Sequence, residues 1–198
     1  MSSFSDQTRR TLILTALATA AGIAASESVA AADEDQPGSD ERPQKADLLV
    51  LSEGEHEGET VTPQDLKLGG PPVRAWPKDP KTSVIRKGSR LNEVLVIRLD
   101  PAELDDETRA HAADGIVAYS AICSHAGCPV TAWVKGATDD KDVFKCVCHN
   151  SEYDPRDGAQ VVFGPAPRRL AALPLTIIDG SLVVAASFVG KVGAQQSG

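Results

Sequence analysis

Every cysteine of this chain falls in one of two short boxes, Cys123-Ser124-His125-Ala126-Gly127-Cys128 and Cys146-Val147-Cys148-His149-Asn150-Ser151, about twenty residues apart. Two of the four histidines fall there as well. A fold that accommodates this pattern must carry two similar loops to one place. Such paired thiols and imidazoles suit a binuclear iron site, with two thiolates on one iron and two neutral imidazoles on the iron that changes valence. One thiolate and one imidazole from each loop divides the donors into Cys123 with Cys146 and His125 with His149. Cys128 and Cys148 remain, and can form a bridge in an oxidising compartment.

Outside the boxes the chain is built of short apolar or alternating runs: residues 48–51, 83–87, 93–99, 115–122, 143–146, 173–178 and 182–186. Each has strand length, and most are rich in Val and Ile. Asp179-Gly180 between the last two runs suits the left-handed dihedrals of a two-residue hairpin turn. A short helical piece is expected where Asp100 precedes Pro101 and Glu103, an arrangement that caps orphan amides. The strands stand too close together for crossover helices, so an antiparallel all-β domain is expected.

The amino-terminal quarter differs. Arg9 and Arg10 lead into an apolar, alanine-rich run ending near Ala25, and small residues follow at 28–32. This resembles a twin-arginine export signal over residues 1–32, cut before Asp33. The run is shorter than the roughly 20 residues a membrane helix needs. Residues 33–46 are polar, with almost nothing apolar, and are expected to form a disordered linker. The domain proper is then 47–198.

Removing Arg9 and Arg10 along with Asp6 and Glu27 leaves the formal net charge at -8. An acidic chain lacks the basic footprint for nucleic acid or anionic membrane surfaces, and its overall charge favours a basic protein partner.

The boxes resemble those of Rieske iron-sulfur proteins, and the second cysteine in each resembles the disulfide-bearing, high-potential branch of that family. Tyr153, Asp154 and the run Gly164-Pro165-Ala166-Pro167, which is similar to the family's proline loop, extend the likeness over about residues 115–186. The resemblance implies an antiparallel β-sandwich or barrel with a small cluster-binding subdomain at about 119–168. It also implies one 2Fe-2S cluster on Cys123, His125, Cys146 and His149, and a Cys128–Cys148 disulfide. Gly164 and Pro165 would cover the cluster. Ser151 would donate a hydrogen bond to a bridging sulfide, and Tyr153 to a ligand sulfur.

Three positions depart from the family pattern: Ala126 replaces a bulky residue, Val147 a proline and Asn150 a glycine. Asn tolerates positive φ. The function implied is electron transfer without substrate chemistry of the chain's own. The layout resembles the small subunit of a periplasmic arsenite oxidase, whose larger partner carries molybdenum. The alternative is the iron-sulfur subunit of a cytochrome bc type quinol oxidoreductase, with cytochrome b/c partners and possible membrane association through an uncleaved amino terminus. Either would pass electrons to a cytochrome c-like acceptor.

Structural zinc is the competing use of the same donors, but it leaves Cys128, Cys148 and the proline loop without a role. Two plain disulfides leave the histidine spacing to chance. His56 and His111 read as solvated side chains, and Trp76 and Trp133 as packing residues.

Overall fold

The computed structural model describes residues 36–194, so the export-signal expectation for 1–32 lies outside the described residues. Ten strands form two antiparallel sheets. The first sheet contains β1 (Leu48–Leu51), β2 (Val73–Lys78), β3 (Val94–Arg98), β4 (Ile116–Ser120), β9 (Leu175–Ile178) and β10 (Ser181–Val184), in the order β4-β3-β2-β1-β10-β9. Its outer strands are brought together by the chain entering β9: Leu173 N donates to Ala118 O at 2.8 Å, and Ser120 N to Ala171 O at 2.8 Å. The sheet therefore curls into a barrel, which removes its free edges.

The second sheet is β5 (Ala132–Lys135), β6 (Asp142–Cys146), β7 (Ser151–Asp154) and β8 (Gln160–Phe163), in sequence order. The β3–β4 hairpin joins the two sheets. Because strand side chains alternate between faces, Val94, Val96, Ile116 and Ala118 fill the barrel with Leu49, Leu182 and Val184. Leu95, Ile97, Val117 and Tyr119 face the other way and pack with Phe144, Cys146 and Tyr153 of the second sheet. Burial on both faces explains why this hairpin reads as an unbroken apolar run in sequence.

Asp179 and Gly180 take φ of 50° and 78° in the β9–β10 turn, as the hairpin expectation requires. Asp100 caps a 3-10 turn over Pro101–Glu103 through Ala102 N, and a separate helix α1 (Asp106–His111) follows with Asp105 as its cap.

Two expectations need correction. Residues 83–87 do not form a strand: they make one bridge, Ile85 to Lys78, beside Pro77 at the end of β2 where β3 no longer pairs. The linker, where described, is not loose. Arg86, 3% exposed, bonds to Gly38 O, Glu41 and the buried Asp47, while Asn92 Nδ2 donates to Glu41 O. Polar composition hid this order because the partners are a buried guanidinium and amide rather than apolar side chains.

Candidate metal centre

Both boxes sit at hairpin tips. The first follows β4: Cys123 N donates to Cys128 O, Gly127 N to Cys123 O, and Val130 N to Ala121 O, closing a tight loop over 123–128. The second is the turn between β6 and β7, in which Cys146 pairs with Ser151 across the ladder. Asn150 there has φ of 60°, the left-handed conformation that Asn accepts more readily than most residues.

The tips converge. The rings of His125 and His149 lie 4.6 Å apart between centroids and nearly perpendicular, at 85°. His149 is exposed and His125 half-buried. His125 Nδ1 is buried without a hydrogen-bond partner, an orphan that a metal ion would satisfy. Cys123 and Cys146 are buried. Burial pushes the Cys146 thiol up to about 12, the amide of Cys148 pulls the other way, and the adjoining Cys123 thiol adds to the rise. A thiolate there needs a cation beside it.

All four cysteines are thiols in the structure. The sulfurs of Cys128, Cys146 and Cys148 lie within 4.8 Å of one another, so Cys146 borders both cysteine pairs. Hydrogen bonding to Cys148 is the main reason that the Cys128 thiol is raised. The donor types fit a binuclear iron group: Cys123 and Cys146 are buried thiols, and His125 and His149 are adjacent imidazoles.

Two hydroxyls flank these donors. Tyr153 OH lies 3.1 Å from Cys123 Sγ and accepts from Ser124 N at 3.4 Å. Its pKa is raised, first by burial and then by the contact with Cys123, so it stays a phenol. Ser151 Oγ accepts from Ala166 N at 3.1 Å. Each hydroxyl thus has an amide on its oxygen and keeps its own proton to donate. Gly164, with φ of 90°, lies so close that a Cβ would meet Ser151 Cα at 2.6 Å, which seats Pro165 and the rest of the proline loop against β7.

The sequence reading missed two supports of the first loop. Ser124 Oγ donates to Arg168 O at 2.6 Å. Arg90 Nη1 donates to Gly127 O at 2.9 Å. The Arg168 side chain in turn holds Gly193 O of the carboxy-terminal strap. These contacts span long separations and leave no local signal. Trp133 packs on Phe144 as expected, at 5.4 Å. His56 is exposed beside Glu59.

Comparison with known proteins places the same region in context. The cytochrome bc1 complex Rieske iron-sulfur subunit of Streptomyces lividans is 37% identical over 102 residues, covering 50% of this chain and 58% of that one. The corresponding subunit of Mycobacterium tuberculosis is 32% identical over 150 residues, covering 67% and 34%. A Rieske subunit named for a respiratory nitrate reductase in Haloferax mediterranei is 37% identical over 101 residues, covering 50% and 43%. The chain thus spans less than two thirds of the length of these relatives. Among solved structures, the plasma membrane Rieske protein of Synechocystis PCC 6803 matches at 25% identity and a TM-score of 0.39, over 63% of this chain and 95% of that one. The family model for the Rieske [2Fe-2S] domain matches residues 75–174, a stretch that runs from β2 to the entry of β9 and holds both hairpin tips. With half of its length matched and both donor loops inside the match, the chain belongs to the Rieske [2Fe-2S] family.

Proposed function

We propose that this Rieske protein is the iron-sulfur subunit of a cytochrome bc type complex, with Cys123 and Cys146 on one iron of its 2Fe-2S cluster and His125 and His149 on the other. The observation that carries the ligand reading is the orphaned, buried His125 Nδ1 beside the exposed ring of His149. The bound cluster supplies one-electron redox chemistry.

The chain's own residues fix how that chemistry behaves. His149 stands at the surface and offers a short path for electrons to a docked partner. Tyr153 and Ser151 donate their free protons toward the sulfur side, which favours the more negative reduced state and raises the potential. Gly164 and Pro165 close over Ser151 and keep water from that side. The Cys128 and Cys148 thiols, within 4.8 Å of one another, oxidise to a disulfide in the exported protein and tie the two loops together.

Assignment to a bc type complex rests on relatives of that name at 37% and 32% identity. Partners are then cytochrome b/c type subunits and a cytochrome c-like acceptor, on the periplasmic face. Residues 1–32 act as the twin-arginine signal, or as the anchor if uncleaved. Among the described residues no helix is long and apolar enough to cross a membrane.

One observation favours the second reading, the small subunit of an arsenite oxidase type complex with a molybdenum-containing large subunit. Ala126, exposed at the tip of the first loop, stands where a bulky apolar residue would shape a quinol-docking surface.

Two measurements test this. Two irons and two acid-labile sulfides per chain, abolished in His149→Ala, support the ligand set, whereas iron-free folded protein overturns it. Isolation from native membranes with haem b and c bands supports the bc type complex, and isolation with molybdenum transfers the chain to the second reading.

A further inference from the structure

A groove of about 730 Å³ runs beside the first donor loop, bordered by Ala126 and Gly127 on one side and by the strap of residues 187–194 on the other. Three cations line it, Arg42, Arg90 and Lys191, and no carboxylate does. None of the three forms an ion pair among the described residues, whereas Arg74, Arg86, Arg98, Arg109, Arg156 and Arg169 each hold a carboxylate. Of the acids near them in sequence, Glu41 is engaged with Arg86 and Gln44 and Glu93 with Arg74, while Asp40 is exposed and does not line the groove.

Two of these charges are held in place. Arg42 Nη1 donates to Leu91 O and Asn92 Oδ1, and Arg90 Nη1 to Gly127 O, in the loop that carries His125. A fixed, uncompensated positive groove thus adjoins the loop on which electrons leave. At separations near the Debye length of about 8 Å in physiological salt, such local charge outweighs the more distant remainder of the molecule.

We propose that this groove docks an acidic patch of the redox partner, seating that partner against the first donor loop, although the chain as a whole carries a net charge of -8. This reverses the basic partner that overall charge favours. It rests on the ligand assignment proposed above.

The test is stopped-flow oxidation of the dithionite-reduced, full-length holoprotein by ferricyanide, a trianion. One electron leaves the reduced cluster and one ferricyanide becomes ferrocyanide. Raising ionic strength from about 100 mM to about 500 mM shortens the screening length from about 10 Å to about 4 Å, a range in which the groove rather than the distant remainder of the molecule acts on the anion. The second-order rate constant should fall severalfold over that range, as for attraction. Lys191 is exposed and makes no hydrogen bond or ion pair in the described structure, so Lys191→Glu should fold normally and flatten the slope. Adding Arg42→Gln should invert it.

A wild-type rate that rises with salt, as net repulsion dictates, would overturn the proposal, and so would a slope that neither variant changes. Binding of the holoprotein to phosphatidylserine vesicles that both variants abolish would also overturn it, in favour of a lipid surface. Absence of any absorbance change on reduction and reoxidation would sink the cluster reading instead, so the two failures are distinct.

Discussion

Gly164 lies against the backbone of Ser151, with room for no side chain: a Cβ would fall 2.6 Å from Ser151 Cα and 2.7 Å from Asn150 O. The proline loop and the second donor loop are locked to one another at that contact. Gly164→Ala therefore combines a clash with a φ of 90°, each costing about 1–3 kcal/mol. The variant should bind less iron and melt at a lower temperature, as iron analysis and thermal denaturation followed at the visible bands will show.

Tyr153→Phe removes a proton donor to Cys123 Sγ but keeps the ring in the core. A hydrogen bond worth about 1 kcal/mol more to the reduced state corresponds to about 40 mV for one electron. The midpoint should fall by about that amount in Tyr153→Phe and similarly in Ser151→Ala, measured by redox titration monitored by EPR. Unchanged midpoints in both would deny the hydroxyls this role.

Arg86 and Asp47 are both 3% exposed at their side chains and 2.7 Å apart. Arg86→Met leaves a buried carboxylate without its partner, a loss of about 3–5 kcal/mol, and frees residues 38–41. The double variant Arg86→Met with Asp47→Leu should recover most of it in urea denaturation, because no isolated charge remains buried.

Asp105 caps α1 by accepting from Thr108 N at 2.8 Å. Burial raises its pKa, but the Thr108 hydrogen bonds and Arg169 outweigh that, and the net shift is downward. With the folded pKa depressed, the stabilisation is fully present above the unfolded value of about 3.9 and is lost as pH falls through the lower folded value. Asp105→Ala should thus cost about 1 kcal/mol at neutral pH. The difference from wild type should vanish in strong acid, as urea titrations across pH will reveal.

The disulfide proposed for Cys128 and Cys148, both thiols in the structure, predicts two free thiols rather than four in unfolded apoprotein isolated from an oxidising compartment. Replacing both cysteines with serine should lower stability by about 3 kcal/mol for a loop of this size.

The two donor loops were legible in sequence because each is a local structure: a hairpin tip needs only its own few residues, so the two Cys-His boxes stand out by spacing, and the proposed ligand set of Cys123, His125, Cys146 and His149 is drawn from them. Strands β1, β3, β4, β6, β9 and β10 were legible for the same reason, as short Val- and Ile-rich runs. Strand β2 was not, since Arg74, Pro77 and Lys78 break its apolar pattern, and β7 was hidden because Ser151, Glu152 and Asp154 are buried polar residues. Glu152 is accommodated by Lys145 and Ala137 N, partners that a sequence does not display. The order at 36–46 and the Arg90–Gly127 contact escaped likewise, since both depend on hydrogen bonds across long stretches of chain.

The proposed asymmetric ligation of the cluster is tested most directly by nitrogen hyperfine spectroscopy of the reduced holoprotein, prepared with and without 15N-labelled histidine. Two strongly coupled nitrogens, both shifted by the label, are the result expected from His125 and His149. A cluster spectrum devoid of histidine nitrogen, as ligation by Cys123, Cys128, Cys146 and Cys148 would give, would contradict the account.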